Sequence, residues 1–290
     1  MSQLIKKIRT DSGDLQIDYN ALANKPDLNN MFSNPNLLIN SDFRNPVNQR
    51  GNASYTGTNS HALYTVDRWC VVNIPTVTVQ DGSLKIENPS DATFTGRFKQ
   101  VFEKALPSDF YTLSVKVKSN SHKISVNNFG TIEAGFTGIY SYTTALKLAL
   151  TDLEFYVAKG GNIEIEWIKL EQGSIATPFA PRLYAEEFML CRRYYRNDAV
   201  RLTSCQHTSR YAHFAYNFEQ MRDIPSFSYI GFAETTNHAG VVITNTKVSC
   251  GTDTLKDRLT IVVTFAENSA IANYYYLVSA GRVILDAEIY

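Results

Sequence analysis

Between Ile163 and Tyr195 the chain changes its period, and that change constrains the fold more than any other feature. Ile163, Ile165 and Trp167 lie on one side of a two-residue repeat with Glu164 and Glu166 on the other, the pattern of a strand with one buried face. After Trp167 the apolar phase shifts to Ile168 and Leu170, which predicts a bulge, or a strand covered on both faces, at that point. Gln172, Gly173 and Ser174 break the strand, and Pro178 and Pro181 hold an extended connection. A short helix is expected next, with Pro181 leading into it. Glu186 and Glu187 lie near its positive end, and Arg192 and Arg193 near its negative one. Leu183, Phe188, Cys191 and Tyr195 recur three to five residues apart and give the helix an apolar stripe. A helix shorter than about 12–15 residues is marginal in water, so the stripe predicts an interface with other copies.

The flanking regions read as strands. Val77 and Val79 precede Asp81-Gly82, with Leu84 and Ile86 after it, a hairpin with two-residue turn chemistry. Tyr111, Leu113, Val115 and Val117 alternate with polar residues, Ile124 and Val126 continue the rhythm, and Leu146, Leu148 and Leu150 repeat it. Leu153, Phe155 and Val157 meet Gly160-Gly161-Asn162 and are expected to return through Ile163 as a second hairpin. Short strands without helical crossovers predict an antiparallel sandwich. Beyond the helix, Ala212, Phe214, Tyr216 and Phe218 form one face of a strand and Tyr211, His213 and Asn217 the other. Leu259, Ile261, Val263 and Phe265 form another strand, Tyr274, Tyr275 and Tyr276 lead to Val278, a turn is expected at Ala280-Gly281, and the last strand runs from Val283 to Tyr290. About 90 residues suffice for a second, C-terminal sandwich.

Composition narrows the function. The 290 residues carry 28 basic and 28 acidic side chains, so no basic excess marks a nucleic-acid partner. Protein or neutral glycan is the expected partner. Cys70, Cys191, Cys205 and Cys250 are too scattered for a zinc or redox motif and read as small buried side chains. Lys6, Lys7 and Arg9 have no apolar run behind them, and no segment has the apolar length of a membrane span. No nucleophile, phosphate-loop or dinucleotide motif occurs, and His61, His122, His207, His213 and His238 are dispersed. No cofactor or metal is expected. Glu186-Glu187 is the closest carboxylate pair, but it belongs to a helix first turn, and Asp42, Asp67 and Arg68 beside Trp69 read as a buried network holding a long loop. A polysaccharide-cleaving enzyme needs two carboxylates across a groove, so a non-enzymatic protein is the expectation. A glycan-binding surface needs exposed aromatics that stack on sugar rings. Tyr274, Tyr275 and Tyr276, with Tyr211, His213 and Asn217, are the candidates; the competing reading puts the tyrosines in the core or a subunit interface.

The junction W-I-K-L-E-Q-G-S-I-A-T-P-F-A-P-R, followed by E-E-F-M-L-C-R-R-Y-Y, resembles that of many bacteriophage tail-fibre and receptor-binding proteins and of phage-derived contractile particles. So do N-L-L-I-N-S-D-F-R-N-P-V-N-Q-R-G through Y-T-V-D-R-W near the start and M-R-D-I-P-S-F near the end. The N-terminal K-K-I-R-T-D-S-G-D-L-Q-I-D-Y-N-A-L-A-N-K-P also resembles the segment by which such proteins join a baseplate or tail protein, so residues 1–36 are the expected attachment segment, with the alternating Leu15, Ile17 and Tyr19 as its contacts; a frayed tail is the competing reading. The resemblance implies a shoulder over 37–180 like the jelly rolls of carbohydrate-binding modules, a helical neck over 181–199 and a receptor-binding tip over 200–290. Three copies are implied, packed through Leu183, Phe188, Cys191 and Tyr195. The expected whole is an all-β virion or tail-particle protein, assembled in the host cytoplasm, that binds a bacterial surface polysaccharide or another surface receptor without entering the membrane. A depolymerase and a purely structural baseplate or fibre component are the alternatives.

Overall fold

The computed structural model describes residues 32–58, 61–73, 75–207, 210–237, 242–251, 254–265 and 277–289, together with the backbone of 7–10 and 13–16; for 205–207, 237, 277 and 278 it describes the backbone alone. Near the N-terminus β1 (Lys7–Thr10) and β2 (Gly13–Gln16) pair antiparallel, with Leu15 opposite Ile8. Ile17 and Tyr19 lie outside the described residues, as does the side chain of Leu15.

Residues 54–172 form two six-stranded antiparallel sheets. One holds β4 (Leu63–Tyr64), β5 (Cys70–Val72), β8 (Gly96–Leu106), β13 (Leu150–Val157), β10 (Ile124–Val126) and β11 (Thr131–Ile132) in that order. The other holds β3 (Ser54–Thr56), β6 (Thr76–Gln80), β7 (Ser83–Glu87), β14 (Asn162–Gln172), β9 (Phe110–Asn120) and β12 (Gly138–Ala145). Their facing side chains share one core, in which Trp69 stacks on Phe98 at 4.7 Å and meets Phe43 edge-on at 5.4 Å. The Asp81-Gly82 hairpin forms as expected, with Gln80 opposite Ser83 and Gly82 at a φ of 76°. The second expected hairpin does not: β13 and β14 belong to different sheets, so Gly160-Gly161 carries the chain across the core rather than back along one sheet. Leu148, read as part of a strand, is 81% exposed in a bend between β12 and β13.

The bulge expected near Trp167 is present. The register of β14 against β9 slips on both sides of Ile165, so Ile163, Ile165, Ile168 and Leu170 all point into the core. Trp167, placed on the same face as Ile163 by simple alternation, is turned to the outer face, because the slips reverse the phase of every later side chain.

A nine-residue helix, α1 (Tyr184–Arg192), follows, and the chain is already a strand at Tyr195. Within the segment 181–199 the helix is confined to these nine residues, and Pro181 precedes the N-cap residue Leu183 instead of opening the helix.

The remaining strands, β15 (Tyr195–His207), β16 (Tyr211–Asn217), β17 (Ser226–Asn237), β18 (Val242–Cys250), β19 (Arg258–Phe265) and β20 (Leu277–Asp286), close into a barrel in the order 15-16-19-18-17-20. A C-terminal sandwich with a turn at Ala280-Gly281 is the expectation; β20 instead runs unbroken through those residues, paired to Arg201 and Val200, and the sheet closes because two strands change partners along their length. β15 pairs with β20 through Thr203 and then with β16 from Ser204, and β18 leaves β17 after Thr244 to pair with β19 from Asn245. Slips at Ser204/Gln206 and Asn245/Lys247 let these strands turn the corners. Inside, Ala212, Phe214, Leu259, Ile261, Val263, Phe265, Val283 and Leu285 form the core.

Candidate functional site

The three strings that stand out in the sequence meet at one place, the contact between the two-sheet body and the barrel. In the D-R-W string Trp69 enters the sandwich core and donates its ring N–H to the Asn40 carbonyl at 2.8 Å, while Arg68, at a φ of 70°, turns the opposite way. The Arg68 guanidinium lies 3.7 Å above the Tyr194 ring and pairs with Glu288, 220 residues further on. Asp67 accepts from the Gln49 side chain at 2.6 Å and from Arg50 at 3.2 Å, and Arg50 lies 3.8 Å over the Tyr195 ring. Arg222 of the M-R-D-I-P string donates to the carbonyls of Ala287 and Glu288, Met221 is buried, and the Tyr64 hydroxyl donates to the Ile289 carbonyl. Desolvation pushes Asp67 up to about 7, opposed by Arg50, and burial raises Tyr194 to about 12.

Outside the sheet, Trp167, Lys169 and Glu171 fasten the connection to α1. Trp167 stacks on Phe179 at 4.5 Å, the buried Lys169 ammonium donates to the carbonyls of Thr177 and Pro178, and Glu171 accepts from the Thr177 N–H at 2.9 Å. In α1, Glu187 accepts from the Asn40 N–H and from Arg182. Arg192 pairs with Asp198 of the barrel at 2.8 Å and Arg193 with Glu103 of the sandwich at 3.2 Å. The helix is thus bonded to both bodies. Its expected stripe is divided: Cys191 and Tyr195 are buried by their own chain, Phe188 is half-buried under Tyr184 and Arg192, and Leu183 is 78% exposed. Tyr184 and Met189, which the stripe omitted, are exposed beside it.

This junction defines the two ends of the barrel. Tyr194, Arg222 and Glu288 lie at its near end, so the last residues of β15, β17 and β19 and the first residues of β16, β18 and β20 lie at the far end, since neighbouring strands run antiparallel. Tyr211 starts β16 at that far end, with Thr264 as its cross-strand partner. Its ring lies 5.3 Å from that of His213, and the next neighbours outward are Val262 and Ser249 beside His213 and Lys247 beside Thr264. The structure therefore brings Tyr211 and His213 together on the outer face, as their alternation with Ala212 and Phe214 predicts. Asn217 shares that face but lies six residues along β16, about 20 Å away at the near end. Tyr274, Tyr275 and Tyr276 belong to the β19–β20 connection and lie outside the described residues.

Burial agrees with the cysteine reading at Cys70 and Cys191, Cys250 is half-buried, and the Cys205 side chain lies outside the described residues. Among the described residues no three His, Cys, Asp or Glu side chains gather as a metal site, and no helix is long and apolar enough to cross a membrane. Sequence reading missed Arg50, Tyr64, Glu103 and Glu288 as parts of the junction; nothing local to Glu288 signals an ion pair across 220 residues. No protein-family model matches the chain, and no curated protein matches it.

Proposed function

We propose that this chain is a receptor-binding protein of a phage tail or of a phage-derived contractile particle. In this reading the N-terminal segment joins a baseplate or tail protein, and the barrel meets a polysaccharide or another receptor on the bacterial surface. The observation that carries it is the one-ended mounting of the barrel: a buried, charged junction fixes its near end, and the strand ends at Tyr211, Val242 and Phe265 lie at the other. Tyr211 and His213 supply ring faces there, and Lys247, Ser249 and Thr264 supply donors and acceptors for sugar hydroxyls. The two-sheet body is then the shoulder, of jelly-roll kind, a reading supported by the way β7, β8, β9 and β10 alternate between the sheets. That resemblance concerns fold and assigns it no sugar site. Leu183 at the N-cap of α1 and Tyr184 and Met189 on it are exposed and support packing of three copies about the helix, and three tips acting together raise a weak single-site affinity through effective concentration.

Incubation of the intact protein with purified surface polysaccharide of candidate hosts tests this function. Retention without cleavage is the expected result. Release of oligosaccharides identifies a depolymerase, and neither retention nor release identifies a purely structural component.

A further inference from the structure

The barrel has an opening in its wall. β17 and β18 are paired only where Glu234, Thr235 and Thr236 face Thr244, Ile243 and Val242. Nearer the sandwich, residues 226–231 keep β20 on one side and residues 245–250 keep β19 on the other. Neither run has a backbone partner across the opening among the described residues. The parting is enforced. Gly231 and Phe232 both take positive φ, 83° and 54°, where the register of β17 slips, and the Phe232 ring fills the space a Cβ on Gly281 would need. Asn245 stands at the fork, donating to the Phe232 carbonyl at 2.5 Å and accepting from the Thr235 hydroxyl at 2.8 Å. A phenylalanine in the left-handed region costs free energy and persists only where its surroundings impose it.

The resulting groove holds about 590 Å³ and none of the residues lining it is charged. Phe227, Val248 and Cys250 form an apolar floor that the barrel core covers only in part, and Ile224 and Tyr229 stand exposed at the rim. Two facing rows of backbone donors and acceptors over an apolar floor are the features that bind an added strand. Each row covers six residues, about 20 Å of chain.

We propose that this opening accepts one extended, uncharged strand from a partner protein. Because β17 and β18 run antiparallel to each other, the guest lies antiparallel to one and parallel to the other. Its alternate side chains cover Phe227, Val248 and Cys250, and a second, polypeptide-binding site is added to a barrel whose far end is assigned to glycan.

Hydrogen exchange of the intact chain tests this with three synthetic six-residue peptides. One alternates threonine and valine, one has prolines in place of the threonines, and one has lysines there. The threonine peptide is expected to slow exchange of the 226–231 and 245–250 amides by about tenfold or more at saturation, the proline peptide to leave it unchanged, and the lysine peptide to bind more weakly. Equal protection by the proline peptide reduces the opening to an apolar pocket and overturns the proposal, as does no protection by any peptide. Protection that instead rises with protein concentration alone assigns the opening to a second copy of this chain and overturns the partner.

Discussion

Arg68 leaves the sandwich turn in a left-handed conformation and reaches a carboxylate from the other end of the chain. A buried ion pair of this kind is weak evidence for net stability, but removing one partner strands the other charge. Arg68→Met is therefore expected to lower the unfolding free energy by about 3–5 kcal/mol, while Arg68→Met combined with Glu288→Leu recovers most of it. Guanidinium titrations of the three proteins decide the point, and additive losses would show that the pair does not interact. Asp67 makes a separate prediction. Its folded pKa is about 7 against an ordinary 3.8, so its stabilising form is the protonated one, fully present below pH 3.8 and lost as pH rises towards 7. Stability should fall by at most about 1.4 kcal/mol per pH unit across that window, and Asp67→Asn should flatten the slope; an unchanged slope would assign the pH dependence to other groups. The sequence marks Asp67 and Arg68 as polar residues beside a core tryptophan, which suggests burial. It does not mark Glu288 or Arg50, because such a pair is selected by folded geometry and carries no local period.

At the scale of elements, what repeats locally was legible and what depends on closure was not. The phase change after Trp167 announced the bulge in β14, and Asp81-Gly82 announced its hairpin. The crossing from β13 to β14 and the closing of the barrel depend on which sheet a strand joins, a choice that alternation leaves open. The helix is legible as a helix, but its apolar spacing continues to Tyr195, which the chain uses as the first residue of β15. The strap between β14 and α1 had a clear signal in its prolines and none for its fastening, since Lys169 and Glu171 look like the solvent face of an alternating strand. Phe179→Ala is expected to uncover Trp167, red-shifting part of the tryptophan emission while Trp69, deep in the core, keeps its own. Proteolytic cutting within 173–181 should accelerate in step; emission and cutting both unchanged would mean that Phe179 does not hold the strap.

At the scale of the whole molecule, the strings that resemble tail-fibre proteins are spent on joining two bodies, so the resemblance speaks to architecture and the binding face must be argued from the barrel. The proposed three-fold assembly has its own test: light scattering at micromolar concentration is expected to give three times the 32.6 kDa chain mass, and Leu183→Glu with Met189→Glu to reduce it. A monomeric mass for the unaltered chain would remove the neck interface. The most direct measurement is adsorption of the intact protein to whole cells of a panel of candidate hosts, alongside the Tyr211→Ala, His213→Ala double variant. These side chains lie on the outer face of β16, so the variant is expected to melt within a few degrees of the parent. The account predicts that the parent adsorbs to a subset of hosts and that the variant loses about tenfold or more in affinity for them, some 1.4 kcal/mol. Undiminished adsorption by a folded variant would contradict it and move receptor binding away from the far end of the barrel.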